Sequence, residues 1–213
     1  MTTNPIASAL LGLMLTVSAP LVQAGVLTFD SRAAFNAQGN IAFNSNFDDF
    51  GRGYHFPGYG YTRGDVSYLS EENLIIGAGT PYSVGASRPV MSNEYWSPLE
   101  ARIADATAYT LLGFDAAATR GVVGITVETN QGSYRFNDVP LPDGSSTFAF
   151  FGFRTDQLNE YFTGFRIETQ GVGYLAGITG VAVGTASAVP APPSIALLLA
   201  GLGLIAARRR RRD

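Results

Sequence analysis

The chain predicts an all-β fold, an antiparallel β-sandwich or jelly roll set between two terminal targeting segments. Three observations predict it. β-Branched and aromatic stretches recur about every ten residues and are bounded by Gly, Pro, Asn and Asp. Outside the ends, no stretch carries the 3.6-residue apolar period of a long amphipathic helix. The middle, residues 25–188, is large enough to bury a self-sufficient core.

The elements follow in order. Val26-Leu27-Thr28-Phe29 reads as a short strand. Asp30 or Ser31 can cap a helical turn through Arg32, Ala33, Ala34, Phe35 and Asn36, and Gly39 stops it. From 41 to 47, Ile41, Phe43, Ser45 and Phe47 alternate with Ala42, Asn44 and Asn46, which is strand periodicity. Further strands are read at 59–62, 66–69, 73–76, 99–103 and 108–115. The clearest hairpin joins 122–129 to 133–137 through Asn130-Gln131-Gly132, since Asn and Gly tolerate positive φ. Strands at 148–153, 161–168 and 176–183 complete the body. Its core is expected from Phe29, Phe43, Phe47, Ile75, Leu112, Phe114, Val123, Ile125, Val127, Phe136, Phe150, Phe165, Ile167, Ile178 and Val181.

Composition removes several function classes. The 213 residues include no cysteine and one histidine, His55. There is therefore no disulfide framework, thiol nucleophile, thiolate zinc site or multi-histidine metal site within one chain. The net charge is −3, so no broad basic face supports a nucleic-acid role. A Ser-His-Asp unit would need His55, yet the nearest nucleophile-elbow window, Pro81-Tyr82-Ser83-Val84-Gly85, has proline in place of the first glycine. Asp48-Asp49 and Glu71-Glu72 do not match calcium-loop spacing, and neighbours on a strand point to opposite faces. No catalytic residue is assigned. No cofactor is expected, although structural calcium on the sandwich stays open.

One stretch has binding character. Seven aromatics fall between residues 47 and 68, and glycines stand at 51, 53, 58, 60 and 64. Exposed tyrosines there would form a stacking platform for sugar rings, while buried ones would serve the core. The candidate ligand residues are Tyr54, Tyr59, Tyr61 and Trp96.

The two ends read as addresses. Residues 6–17 are apolar except Ser8 and Thr16, and Val22-Gln23-Ala24 places small residues at −3 and −1 of a cut between Ala24 and Gly25. At the other end, Val189, Pro190, Ala191, Pro192 and Pro193 are stiff and extended. Residues 194–207 follow without a charge. Arg208, Arg209, Arg210, Arg211 and Arg212 then precede Asp213. As a helix, 194–207 is roughly 21 Å long, and arginine snorkelling helps it span the membrane. The positive-inside rule puts the arginines in the cytoplasm.

A proline motif, a short apolar helix and a terminal arginine cluster, in that order, resemble the PEP-CTERM sorting signal of Gram-negative bacteria. The family motif is usually Val-Pro-Glu-Pro, and here Ala191 stands where the glutamate would. The resemblance implies export through the Sec translocon, brief single-pass anchoring in the inner membrane and recognition by exosortase, an integral-membrane protease. It also implies delivery to the cell surface or extracellular matrix, with exopolysaccharide as a partner. The opening strand, helical turn and strand up to Asn46-Phe47-Asp48 resemble jelly-roll-like bodies that carry this tail. The leading expectation is thus a non-enzymatic, tail-sorted surface or matrix protein. A secreted lectin-like module and an acidic-residue hydrolase are the alternatives.

Overall fold

The computed structural model describes residues 25–49, 54–56, 60–71, 74–77, 90–93, 97–104, 108–118, 122–142, 148–169 and 176–187, and for 54–56, 77 and 90–93 the backbone. The signal segment, the sorting motif, the apolar helix, the arginine cluster, Tyr59 and Trp96 lie outside the described residues. Among the described residues no helix is long and apolar enough to cross a membrane.

Fourteen strands and one helix are described. They are β1 (Val26–Phe29), α1 (Arg32–Asn36), β2 (Gly39–Ser45), β3 (Tyr54–Phe56), β4 (Tyr61–Arg63), β5 (Val66–Leu69), β6 (Leu74–Gly77) and β7 (Val90–Asn93). The rest are β8 (Leu99–Ile103), β9 (Leu111–Ala118), β10 (Val122–Thr129), β11 (Gly132–Pro140), β12 (Ala149–Thr155), β13 (Phe162–Thr169) and β14 (Ala176–Ala186). One sheet has the order β1-β12-β9-β14-β7-β6-β3, with β2 also on β14; the other runs β11-β10-β13-β8-β5-β4. The strand pairs are antiparallel. The fold is the antiparallel β-sandwich that the alternation predicts.

The core lies between the sheets. Phe114 of β9 stacks on Phe165 of β13 with ring centroids 4.5 Å apart, and Phe151 and Phe153 flank Phe114 at 6.0 Å. Of the expected core residues, eleven are buried. Phe29, Phe43, Phe136 and Phe150 are half-buried instead. Their misplacement has a physical cause. Phe136 and Phe150 flank an open notch at the sandwich edge, and Phe29 and Phe150 serve a second cluster outside the first sheet.

That second cluster is built by α1. Ser31 caps the helix, its hydroxyl accepting from the Ala34 N–H. The helix lays Phe35 on the outer face of the first sheet, in a seat left by Gly113 and Gly152. A Cβ at Gly152 would come within 2.9 Å of both the Phe35 and Phe150 rings. β9 is therefore buried nearly throughout, on both its faces.

β14 divides its outer edge between two partners. Gly177 and Ile178 pair with β7, and residues 181–186 pair with β2. Between them Gly180 has φ +57, and the register against β9 shifts between Thr179 and Ala182. This is a bulge, which bends the strand so that one edge can serve two neighbours. Arg32 holds it: its Nη2 donates to the Gly180 carbonyl at 2.8 Å and to Asp115 Oδ2 at 2.9 Å.

Two short strands were not anticipated. β7 lies where no strand was read, and β3 falls within the aromatic run. The hairpin turn is also one residue shorter than expected, since Thr129 pairs directly with Gly132.

Candidate functional site

Of the seven aromatics between residues 47 and 68, Phe47, Tyr61 and Tyr68 have described side chains, and all three pack on the core. Phe47 is wholly buried, although its φ is +60, a region that bulky residues rarely adopt. Local bonds hold it there. The Asn46 side chain accepts from the Asp48 N–H and donates to Asp48 Oδ2, and the Thr179 hydroxyl donates to the Asn46 carbonyl. Tyr68 is buried too, edge-on to Phe47, and desolvation holds its phenol above the ordinary range. Tyr61 is half-buried and stacks beside Tyr68 at 6.4 Å, so its ring packs on the core. Tyr54 and His55 lie on β3, paired with Ile76 and Ile75. Asp48 and Asp49 sit in an exposed turn. Arg63 Nη1 donates to Asp49 Oδ1 at 2.6 Å, which holds the Asp49 carboxyl below its usual value.

The most developed polar surface is the outer face of the second sheet, which the sequence reading did not single out. Arg135 on β11 and Arg166 on β13 both reach Glu168, at 3.0 and 2.9 Å. Arg166 continues to Glu100 on β8 at 3.5 Å. Pairing across the strands dictates this ladder, because Thr126 faces both Arg135 and Arg166, and Arg166 faces Glu100. A second row crosses Glu128, Gly164, Arg102, Ser67 and Thr62.

At the β4–β5–β8 end this face sinks into a depression of about 320 Å³, lined by Gly60, Tyr61, Thr62, Ser67, Leu69 and Arg102 among others. The Thr62 and Ser67 hydroxyls are 2.8 Å apart. Arg102 is exposed, and among the described residues it has no ion pair. An aliphatic side chain, two hydroxyls and a guanidinium thus meet at one place, with the half-buried Tyr61 at its border. Of the four tyrosine and tryptophan candidates, Tyr61 is the one placed here.

A larger notch, about 580 Å³, opens at the opposite edge of the sandwich. β1 ends at Phe29, opposite Gly152, so residues 149–151 of β12 have no neighbour on that side among the described strands. Phe136, Val139, Phe150, Phe151 and Phe153 wall the gap, and Thr28 and Asp30 provide its polar rim. It offers stacking surface with little hydrogen bonding.

Among the described residues no three His, Cys, Asp or Glu side chains gather as metal ligands would. The polar groups of the sheet face are paired Arg and Glu, which suit binding a hydroxyl-rich ligand rather than activating a nucleophile.

No protein-family model matches the chain, and no curated protein matches it. Solved structures of family 29 carbohydrate-binding modules are distantly similar. A variant complexed with mannohexaose aligns at 12% identity and TM-score 0.41, over 65% of this chain and 99% of that one. A second variant of the family aligns at 14% and 0.39, over 64% and 94%. A third, complexed with cellulohexaose, aligns at 13% and 0.33, over 76% and 94%.

Proposed function

We propose that the body is a non-catalytic saccharide-binding module of an exported protein, and that the outer face of the second sheet takes the ligand. The convergence of Leu69, Thr62, Ser67 and Arg102 over one depression, with Tyr61 at its border, supports this reading. A sugar ring has an apolar face and a rim of hydroxyls, so it needs a ring or aliphatic surface beside donors and acceptors. Arg102 supplies charge-assisted donors, and the two hydroxyls both donate and accept. The Arg135–Glu168–Arg166–Glu100 ladder extends the array along the sheet, as an extended polysaccharide would require.

Delivery belongs to the same proposal. The signal segment exports the chain through the Sec translocon, and the proline motif, apolar helix and arginines anchor it until an exosortase-type protease removes them. The mature module then sits at the surface or in the matrix, where polysaccharide is at hand.

Calorimetry or affinity electrophoresis against soluble polysaccharides and hexasaccharides, mannohexaose and cellulohexaose among them, tests the binding. Arg102→Ala is expected to weaken it about ten- to a hundredfold, the loss of one charge-assisted hydrogen bond or two. The variant should leave the melting temperature unchanged, because Arg102 is exposed. Binding that tolerates Arg102→Ala with Ser67→Ala, but is lost in Phe136→Ala, would move the site to the notch. No binding across the panel would end the saccharide reading. Mass spectrometry of the native protein tests the sorting: mature chains still carrying Arg208 to Arg212 beside an active exosortase would overturn it.

A further inference from the structure

The body holds a buried carboxylate. Glu160 follows the β12–β13 turn, and its side chain is 1% exposed. The Thr129 and Tyr134 hydroxyls both donate to its Oε1, each at 2.8 Å. Its Oε2 is buried and receives no donor from the described residues. An ionised carboxylate with half its acceptors unmet is costly to bury unless a cation stands nearby. Among the described residues no arginine or histidine reaches Glu160.

The neighbour that Tyr134 does have is Gly25. This glycine has φ +113, and a Cβ on it would lie 2.0 Å from Tyr134 Oη and 2.8 Å from Gln157 Nε2. Bond lengths then place the Gly25 Cα within about 3.5 Å of the phenol oxygen and its nitrogen within about 5 Å of it. The Asp156 N–H donates to the Gly25 carbonyl at 3.2 Å, tying this residue to the same turn. Gly25 is the residue that the Ala24–Gly25 cut would leave at the N-terminus.

We propose that the Glu160 pocket is an ammonium site, and that its ligand is the α-amino group of Gly25, created when the signal segment is removed. Before cleavage this nitrogen is a neutral amide. Hydrolysis of the Ala24–Gly25 bond adds water across it, leaving a carboxylate on Ala24 and an ammonium on Gly25. The charge appears only when the chain has been exported, and it appears beside a buried carboxylate that, among the described residues, has an unmet oxygen. Processing thereby locks β1 onto the β12–β13 turn. The geometry also explains why a glycine stands at this position, since any side chain would strike Tyr134.

The test compares three forms of the otherwise full-length chain: one released in vitro by a protease whose site is placed directly before Gly25, the same protein N-acetylated, and one retaining Ala24. The free form is expected to melt several degrees higher than the other two, a shift readily measured for a chain of this size. In Glu160→Gln the three should melt together. As a second readout, the Gly25 amine titrates by NMR. Glu160 and Asp156 are the charges around it and Tyr134 is the neutral phenol, so its pKa should rise above the ordinary 7.7–8.0. Equal melting of the free and acetylated forms, or an amine that titrates at its ordinary value, would overturn the proposal. Because release is done in vitro, these outcomes do not depend on the saccharide reading. A native N-terminus other than Gly25 would also overturn it.

Discussion

Gly152 shows how much one missing methyl group decides. Its place on β12 faces the Phe35 ring, and Phe150 closes the other side. A Cβ there would sit 2.9 Å from each ring, and neither is the loose end of a flexible chain. Gly152→Ala is expected to cost about 1–3 kcal/mol through overpacking, read as a lower urea midpoint. Gly132 is the control. Nothing lies within 4 Å of its Cβ and its φ is not positive, so Gly132→Ala should be neutral or stabilising by less than about 1 kcal/mol. The sequence shows both glycines but not the difference between them, because it does not say which one a helix will cover. The aromatic run was ambiguous for the same reason. Alternation puts Phe47 and Tyr68 on some face, and only the packing of the second sheet makes that face the core. Glu160 was invisible at this scale, since its burial comes from Tyr134 and Thr129, which arrive from a different hairpin.

At the scale of elements, the long strands and the short β1, β5, β6 and β8 were legible, while β3 and β7 were not. β10 and β13 carry alternating patterns eight residues long, and α1 was read with its bounds correct because Ser31 is a strong cap. β3 (Tyr-His-Phe) has no β-branched residue and β7 (Val-Met-Ser-Asn) runs into Ser-Asn, so neither carries the bounded β-branched and aromatic run that marks a strand. The bulge in β14 was also hidden, since a glycine within a strand signals a bulge only weakly. It makes a clear prediction. Arg32 ties α1 to the bulge through Gly180 and Asp115, and its guanidinium also lies 4.6 Å over the Phe150 ring. The pair is partly exposed, with 30% and 15% of the two side chains accessible, so its worth is well short of a fully buried bridge. Arg32→Ala should lower stability by about 1–3 kcal/mol, the loss of one charged pair, one hydrogen bond and a stacked ring. Hydrogen exchange should rise most at residues 178–182. Uniform loss of protection across both sheets would show that Arg32 does not act through the bulge.

The whole molecule is a sandwich with no disulfide, so its stability is set by the core and a handful of buried polar contacts. Residues 25–193 hold sixteen acids and nine arginines, a net −7. Raising the pH adds no negative charge until the tyrosines ionise, and two of them resist ionising in the fold. Burial, with the hydrogen bond to Glu160 and that carboxylate's charge, pushes the Tyr134 phenol up to about 12. Burial raises Tyr68 as well. In the unfolded chain both ionise near pH 10. Between those values the folded state keeps a proton that the unfolded state has lost, so unfolding is favoured as pH climbs. The stability these two groups contribute is therefore present in full below about pH 10 and is lost above it, the share of Tyr134 as pH rises through about 12. In the N-acetylated chain, which has no Gly25 amine to titrate, urea midpoints should hold steady from pH 7 to 9 and fall steeply above 10. Tyr134→Phe should start lower at pH 8, because Glu160 loses a donor, and fall less steeply thereafter, because one of the two resistant phenols is gone. A variant whose midpoint falls as steeply as that of the unaltered chain would show that Tyr134 is not among the groups that limit the fold in alkali.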